Sequence, residues 1–357
     1  MDWLVSLIFI MVYLGMLLGR VPGLALDRTG VALLGAIALL VSGKVTLDAA
    51  WNAVDVPTIG LLFGLMVLSA QLRLGGMYTA ITRRITLAEM SPRCLLASLI
   101  GMAGLLSALL ANDIICIAVA PLLVEACARR RLNPIPFLLG LACAANIGSA
   151  ATLIGNPQNM LIGQSLGLSF SAYLFDGGVP AAIGLILLWL LLCLLTGNNW
   201  YATTAIPQFK APVFNPWQSG KGLAILTVLV VAFLASSIPR EILALAAAGI
   251  ILTSRRMHSR HMLALVDWQL LILFISLFIV NHALESTSVI THFLTVLANA
   301  GFDIREPGKL FVATAVFSNM VSNVPAVMLL LPAATHPLAG PILALSSTLA
   351  GNLIIVG

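Results

Sequence analysis

One stretch of the chain, residues 145–159, has a strongly polar composition although it lies inside an apolar segment. Its sequence is ANIGSAATLIGNPQN, and it interrupts an apolar run from about Phe137 to Ile162 that is long enough to cross a bilayer. In hydrocarbon an unpaired backbone or amide group costs several kcal/mol, so a broken helix at this depth must line a cavity walled by protein. The stretch therefore predicts a discontinuous helix over 135–163 and a binding site at membrane depth.

The composition of the whole chain fits that setting and excludes an ordinary soluble domain. Hydrophobic residues make up 60% and charged residues 9% of the chain, and the mean hydropathy is +1.07. The basic residues cluster in short loops, which indicates membrane topology and gives no reason to expect a nucleic-acid partner. The five cysteines form no CxxC pair, so neither a disulfide framework nor a structural zinc site is expected.

The apolar segments predict an all-α polytopic membrane protein whose two halves follow the same order. The first half, 1–196, is predicted to contain helices at about 3–19, 30–43 and 57–72, a polar loop with four arginines, a hairpin over 94–127, the broken helix 135–163 and a helix at 179–196. Residues 197–220 form a polar cytoplasmic linker. The second half, 221–357, repeats the order with helices at about 222–236, 239–253 and 268–284, an amphipathic stretch at 286–300, a hairpin over 309–335 and a broken helix over 338–357.

One spacing supports an internal repeat. Asn112 precedes Pro121 by nine residues, and Asn323 precedes Pro332 by nine, at corresponding places in the two hairpins. The last apolar run is still continuing at Gly357, so the second repeat is expected to be incomplete at its C-terminus.

The distribution of positive charge predicts the orientation of these halves. With the N-terminus outside and the first hairpin opening to the cytoplasm, 14 of the 18 lysines and arginines lie inside. Only Lys44, Arg240, Arg305 and Lys309 lie outside. The second half then starts inside, so the halves are inverted repeats, an arrangement typical of secondary transporters with sites at the midplane. We therefore expect an integral protein of a prokaryotic inner (plasma) membrane.

The candidate substrate- and ion-binding residues lie in four polar breaks that could converge. They are Asn112 and Asp113; Asn146, Ser149, Thr152, Gly155, Asn156, Pro157 and Asn159; Ser322 and Asn323; and Thr348 and Asn352. Half-helices that start in the membrane present unpaired N–H groups, which suit a carboxylate or oxyanion. Amide, hydroxyl and carbonyl oxygens suit a desolvated Na⁺, which we place near Asn112, Asp113, Asn156 and Asn323. Small and polar residues that only hold helices together are the alternative for each position.

Asp113 is the only acidic residue that the predicted helices place near the midplane. A carboxylate there is costly, which makes Asp113 a candidate coupling site for H⁺ or Na⁺. The alternative is that Asp113 caps the second helix of the hairpin, and the two roles are compatible. An intramembrane enzyme would need a second acid, or a histidine and a nucleophile, at the same depth, and the sequence offers no convincing partner. We therefore expect no enzymatic activity and no cofactor beyond the coupling ion.

These residues also carry a family resemblance over nearly the whole chain. In segments 111–113, 145–149, 152–159 and 321–325 the chain resembles the ion transporter superfamily, which includes divalent anion/sodium symporters, citrate transporters, arsenite permeases and NhaD-type sodium/proton antiporters. The resemblance implies two inverted repeats, each with a re-entrant hairpin and an unwound helix, in a homodimer that works by an elevator-like movement. It places Asn112 and Asn323 at the hairpin tips that bind sodium and substrate, and Thr152, Gly155, Asn156, Pro157 and Asn159 on the unwound loop.

The hairpin tips differ from those of the dicarboxylate symporters. Where those proteins carry Ser-Asn-Thr, this chain has Ala111-Asn112-Asp113 and Ser322-Asn323-Val324, and the first of these is more similar to the arsenite permeases. This difference favours proton coupling over a two-sodium mechanism. The resulting hypothesis is a secondary active transporter of a small carboxylate or inorganic oxyanion, coupled to H⁺ or Na⁺. Arsenite/antimonite efflux and sodium/proton antiport remain alternatives within this class, and a passive channel is the alternative outside it.

Overall fold

The computed structural model describes residues 3–19, 25–110, 112–202, 214–254, 257–287, 289, 295–296, 298–299 and 301–353. Within these ranges the protein is helical and has no strand, apart from an isolated bridge between Leu132 and Tyr201. The helices are α1 Trp3–Leu18, α2 Arg28–Val41, α3 Leu47–Ala53, α4 Val56–Leu74, α5 Met77–Leu87, α6 Pro92–Leu109, α7 Asn112–Arg129, α8 Pro134–Ser149, α9 Pro157–Ser165, α10 Phe170–Thr196, α11 Pro216–Ala235, α12 Arg240–Leu252, α13 Ser259–Leu263, α14 Trp268–Glu285, α15 Pro307–Val321, α16 Asn323–Leu330 and α17 Ala339–Ala350.

Several of these helices are suited to a bilayer. In the described part of the chain, α4, α6, α10, α11 and α14 are long and apolar enough to cross a membrane, by length and composition. Five shorter helices or helical segments are also apolar: α1, α2, α8, α17 and the segment Asn323–Ala333 that begins with α16. Large apolar side chains remain exposed along α10, as expected for a surface that faces lipid. The chain is an all-α polytopic membrane protein.

Local sequence signals set where several helices begin. Ser91, Asn133 and Asn215 each precede a proline, and each side-chain oxygen accepts a backbone N–H from the first turn of α6, α8 or α11. A polar cap satisfies one of the free N–H groups of a helix, and the proline at the next position loses no hydrogen bond because its N–H would be unpaired there. Ser169 and Asp267 cap α10 and α14 in the same way without a proline.

The chain divides into two compact units. The first unit comprises Met1–Ile59, Gln164–Leu166 and Asp267–Gly357, and the second comprises Gly60–Gly163 and Gly167–Val266. The division follows the density of contacts, and each unit draws on both predicted halves of the chain. The predicted inverted repeats over 1–196 and 221–357, and the linker between them, stay predictions.

Each unit contains one helix pair separated by a short break, together with the helix that packs on it. In the second unit, α8 is the central helix and contacts α6, α7 and α10, while α5 lies against α7. In the first unit, α15 contacts α16 and α17, and α2 packs on α14 and α1. The pairs α6–α7 and α15–α16 lie where the sequence predicts the hairpins.

Two sequence predictions about local structure are wrong. The polar loop after residue 73 contains a helix, α5, because its arginines lie on the exposed face while Tyr78 and Thr82 are buried on the other. The helix predicted at 179–196 begins at Phe170, since Gly177 and Pro180 lie inside α10 and do not end it. The sequence prediction also omits two short helices, α3, which is capped by Thr46, and α13. The amphipathic stretch at 286–300 lies largely outside the described residues.

Candidate functional site

The first hairpin break falls between α6 and α7. Helix α6 ends at Leu109 and α7 begins at Asn112, while Ala111 lies outside the described residues. Asn112 is half-buried and Asp113 is exposed, and both lie in the first turn of α7. Asp113 is therefore one residue inside the helix and does not occupy the capping position proposed for it. A carboxylate in the first turn still interacts favourably with the positive end of the helix dipole.

The next break along the chain, residues 150–156, lies outside the hairpins and separates α8 from α9. Pro157 is the first residue of α9, where the absence of its N–H costs nothing. Residues 145–159 contain no charged side chain, so the polarity of the break comes from amides, hydroxyls and backbone groups. Its polar residues are almost fully buried: Ser149, Thr152, Asn156 and Asn159 are at most 3% exposed.

Asn156 and Ser149 join the two sides of this break. The Asn156 side chain accepts a hydrogen bond from the backbone N–H of Asn159 at 2.8 Å, which is the geometry of a cap on α9. Its Nδ2 donates to the Ser149 hydroxyl at 3.1 Å, and that hydroxyl donates to the carbonyl of Asn146 at 2.7 Å. Asn146, Ser149 and Asn156, three of the predicted site residues, therefore form one hydrogen-bonded chain.

Asn159 lies at the centre of the same break. Its Nδ2 is within hydrogen-bond distance of the Thr152 carbonyl (2.9 Å), the Tyr173 hydroxyl (3.2 Å) and the Ser149 carbonyl (3.4 Å). The Tyr173 hydroxyl in turn donates to the Ala150 carbonyl at 3.0 Å. The side-chain oxygen Oδ1 of Asn159 is buried and has no hydrogen-bond partner among the described residues. A buried acceptor without a partner is costly, so a cation or the donor group of a ligand would stabilise it.

Two hydroxyls connect the break and α8 to the first hairpin. The Thr152 hydroxyl donates to the Ala108 carbonyl in the last turn of α6 and also accepts the N–H of Ile154 at 3.2 Å. The Ser107 hydroxyl donates to the Ala145 carbonyl of α8. The first hairpin and the break are thus fixed to each other by side-chain bonds to backbone oxygens.

Two glycines, one at the end of α8 and one in the break, permit close approach of backbones. A Cβ on Gly148 would lie 2.2 Å from the carbonyl oxygen of Gly104, and a Cβ on Gly155 would lie 2.2 Å from the carbonyl oxygen of Ser149. Neither glycine has a positive φ, so the requirement is for space and not for a left-handed backbone. A side chain at Gly148 would push α8 away from α6, and one at Gly155 would push the break away from the end of α8.

The second hairpin, in the other unit, breaks at a single residue. Ser322 has φ +78° and ψ 159°, a backbone conformation that is essentially restricted to glycine, and α16 begins at Asn323. The Ser318 hydroxyl lies within hydrogen-bond distance of Asn323 Oδ1 and of the Ser347 carbonyl, the latter at 2.8 Å. Ser318 therefore connects the tip of this hairpin to α17.

The remaining predicted residues lie at and beyond the end of α17. Thr348 is fully buried near the end of the helix, which stops at Ala350, and Asn352 follows in a turn. The rest of the predicted broken helix, residues 354–357, is outside the described residues.

Sequence reasoning missed the hydroxyls that support these breaks. Tyr173 lies 14 positions after Asn159, in a stretch without a polar cluster, so no local pattern marks it. Ser107 and Ser318 do have a signal, because each precedes the hairpin asparagine, Asn112 or Asn323, by five residues. Both bond a backbone carbonyl of a neighbouring helix, and the internal repeat itself stays a prediction.

The described residues contain no group of three or more histidine, cysteine, aspartate or glutamate side chains that could hold a metal ion. A cation at the break between α8 and α9 would be held by neutral oxygens, such as those of amides, hydroxyls and backbone carbonyls, because residues 145–159 carry no charged side chain. Such oxygens suit a weakly bound monovalent ion better than a transition metal.

Comparison with known proteins assigns the chain to a family. A silicon efflux transporter of Oryza sativa subsp. japonica, LSI3, is 39% identical over 163 residues, which is 46% of this chain and 33% of that protein. The inner membrane protein YbiR of Escherichia coli K12 is 32% identical over 286 residues, 78% of this chain and 72% of that protein. The uncharacterized transporter Rv2684 of Mycobacterium tuberculosis H37Rv is 30% identical over 366 residues, 93% of this chain and 83% of that protein. The sequence model of the CitMHS family, described as citrate transporter, matches residues 7–350, so this chain is a membrane transporter that belongs to the CitMHS citrate transporter family.

Proposed function

We propose that the chain is a secondary active transporter of a small carboxylate or inorganic oxyanion, driven by H⁺ or Na⁺. The observation that carries this proposal is the break at residues 150–156, where uncharged polar groups are buried between apolar helices. Such a break is costly in a membrane protein unless the protein itself, a ligand or an ion satisfies every polar group, and here the protein satisfies most of them. The unpartnered Oδ1 of Asn159 is the clearest sign of that cost among the described residues.

The polar groups of the breaks favour a solute of low charge. Neither residues 145–159 nor residues 318–324 contain a lysine or arginine, so no side chain neutralises a multiply charged anion there. The N-terminus of α9 supplies a partial positive charge that suits one negative charge. A singly charged oxyanion, or a neutral solute with several hydroxyl groups, is therefore favoured over a fully ionised tricarboxylate.

A specific observation favours efflux of a metalloid hydroxide such as arsenite or antimonite as a second candidate. The relative with 39% identity over 163 residues is named as a silicon efflux transporter, and silicic and arsenous acids are both weakly acidic hydroxides. The sequence of the first hairpin tip resembles that of the arsenite permeases. An amide-rich break without cationic side chains is compatible with such solutes, because amides both donate and accept hydrogen bonds.

Flux into proteoliposomes distinguishes the candidates. The purified protein should be reconstituted with citrate, a monocarboxylate, phosphate, arsenite or silicic acid as the test solute, under an imposed Na⁺ or pH gradient. We expect gradient-dependent flux of at least one small anion or hydroxide. Flux that is insensitive to both gradients would indicate a channel, and ion exchange without solute flux would indicate a sodium/proton antiporter.

Two substitutions test the assignment of the site. Asn156→Leu removes the cap of α9 and the bond to Ser149, and Asn323→Leu removes the partner of Ser318 at the second hairpin. We expect both to reduce flux at least tenfold, which corresponds to ~1.4 kcal/mol. Asn156→Leu leaves the buried N–H of Asn159 without its acceptor. Asn323→Leu removes the amide at the hairpin tip and leaves Ser318 bonded only to the Ser347 carbonyl. Asn52→Leu, on the exposed side of α3, is the matched control and should retain flux. Full flux in both site variants would refute the assignment.

Asp113 is proposed as the proton-coupling group. Asp113→Asn keeps the shape of the side chain and removes its charge change. If Asp113 carries the proton, this variant loses flux driven by a pH gradient but retains exchange of solute at equal pH. Unchanged pH-driven flux would move the coupling role to another residue and favour Na⁺. Assembly as a homodimer and alternating access by an elevator-type movement belong to the same proposal.

A further inference from the structure

We propose that a basic pocket at the end of α7 binds the phosphate headgroup of an anionic membrane lipid. The pocket lies entirely in the second unit and is formed by α5 and α7. It contains none of the residues assigned to the transport site. Its volume is about 280 Å³, close to the ~300 Å³ lower limit of small-molecule sites, so it can take a headgroup but not a whole lipid.

The pocket has a basic side and an apolar side, as the binding of an amphiphile requires. Arg83 and Thr86 line it from α5, and Arg129 and Arg130 line it at and just beyond the end of α7. Leu122 and Ala126 lie on α7 before these arginines and form an apolar side of the same pocket. An anionic headgroup among the arginines would therefore leave the start of its acyl chains beside apolar side chains.

The charges of the pocket do not cancel. Its lining contains three arginines and one acidic residue, Glu125, so its net formal charge is two positive. Glu125 pairs with Arg129 at 2.8 Å. Arg130 donates to three backbone carbonyls, including that of Met90 at 2.6 Å, and these neutral acceptors hold its side chain in place without neutralising it. The side chain of Arg83 has no hydrogen-bond or ion-pair partner in the part of the chain that the structure describes.

These features fit a phosphate of the membrane better than a soluble partner. Arg129 and Arg130 lie at and just beyond the end of α7, after a mainly apolar middle section, and in the proposed topology we place this end at the depth of the lipid phosphates. Guanidinium groups bind phosphate oxygens in bidentate geometry. Arg130, which is held by backbone carbonyls, would position the phosphate, and Arg83, which has no partner among the described residues, would add affinity for it. A bound headgroup would also link α5 to α7, the second helix of the first hairpin.

Binding is testable with phosphatidylglycerol as the probe. The purified full chain should be placed in phosphatidylcholine vesicles or nanodiscs with increasing phosphatidylglycerol, and bound lipid measured by native mass spectrometry together with the thermal unfolding temperature. We expect phosphatidylglycerol to bind and to raise the unfolding temperature. Arg83→Gln should weaken this binding about fivefold, the effect of one arginine facing an anionic lipid. Arg84→Gln is the matched control, because Arg84 is the next residue on α5, is exposed and does not line the pocket.

Three results would overturn the proposal. Equal losses in Arg83→Gln and Arg84→Gln would show general attraction to an anionic surface. Stabilisation by inorganic phosphate in pure phosphatidylcholine, without added effect of phosphatidylglycerol, would show a site for a soluble anion. No binding to the native chain would exclude the site altogether, and because the readouts are lipid binding and thermal stability, this outcome is independent of the transported solute.

Discussion

At the scale of single residues, Asn159 replaces hydrogen bonds that a continuous helix would make. The chain leaves helical geometry at residue 150 and resumes it at residue 157, so carbonyls near the end of α8 lack their usual partners. The Asn159 amide donates to the carbonyl of Thr152 at 2.9 Å and reaches that of Ser149 at 3.4 Å. Asn159, which is fully buried, thus supplies donors inside the break, beside the hydrogen bonds made by Asn156, Ser149, Thr152 and Tyr173.

Asn159→Leu should destabilise the protein and abolish flux. The substitution leaves buried carbonyls without a donor, which costs about 1–3 kcal/mol per unsatisfied group. We expect a lower thermal unfolding temperature and loss of solute flux in proteoliposomes. Asn52→Leu in exposed α3 controls for the change of residue type, and an equal effect of the two substitutions would contradict the role of Asn159.

Tyr173→Phe removes only a hydroxyl from the same network. That hydroxyl donates to the Ala150 carbonyl at 3.0 Å and lies 3.2 Å from Asn159 Nδ2, so its loss should cost about 1 kcal/mol. Because Tyr173 and Asn159 share a network, the thermal destabilisation of the double variant with Asn159→Leu should be smaller than the sum of the single effects. Additive effects would show that the two side chains act independently.

Ser322 holds the second hairpin in a strained backbone conformation. Ser322→Gly should raise the unfolding temperature by relieving about 1–3 kcal/mol of strain, less the entropy that glycine loses on folding. We also expect reduced flux, because the substitution loosens the hairpin tip next to Asn323. Ser286→Gly, at the end of α14 with φ −66°, is the control and should lower the unfolding temperature. A decrease in both variants would argue against strain at Ser322.

At the scale of elements, both hairpins are fastened to a neighbouring helix by a serine hydroxyl. Ser107 joins α6 to α8, and Ser318 joins α15 to α17. Each hydroxyl bonds a backbone carbonyl inside an apolar environment, where such bonds hold helices at fixed separation. Close backbone contact at Gly148 and Gly104 adds to this in the second unit.

Gly148→Ala tests how closely α8 must approach α6. The new methyl group would lie 2.2 Å from the Gly104 carbonyl oxygen, so the helices must separate, which costs about 1–3 kcal/mol. We expect a lower unfolding temperature and reduced flux. Gly101→Ala is the matched control on α6, because a Cβ there has no heavy atom within 4 Å and should leave stability unchanged or higher.

At the scale of the whole molecule, the distribution of positive charge predicts that the N-terminus lies outside, which places Lys44 outside and Arg84 inside. On a cysteine-free background, Lys44→Cys should react with a membrane-impermeant maleimide in intact cells, whereas Arg84→Cys should react only after permeabilisation. Both positions are exposed, so the difference reports the side of the membrane. The reverse pattern would show that the N-terminus lies inside.

The sequence predicts the end of α8 more accurately than it predicts the amphipathic helix α5. Pro157 and the polar run before it place the break between α8 and α9 within a few residues. The sequence predicts a loop for α5 because Arg83 and Arg84 are typical of loops, whereas in the structure they occupy the exposed face of a helix. Periodicity over eleven residues with threonines on the buried side is a weak signal, because threonine is neither clearly apolar nor clearly polar.

The sequence by itself determined that the chain spans a membrane and that its polar groups concentrate in a few breaks, because both properties follow from composition and local order. Only the tertiary structure decided how the breaks are satisfied. Tyr173 reaches Asn159 from another helix, Ser107 reaches Ala145, and Gly148 meets Gly104, and none of these pairs is adjacent in the chain. Hydrogen bonds and close contacts between distant residues depend on helix packing, which no local pattern encodes.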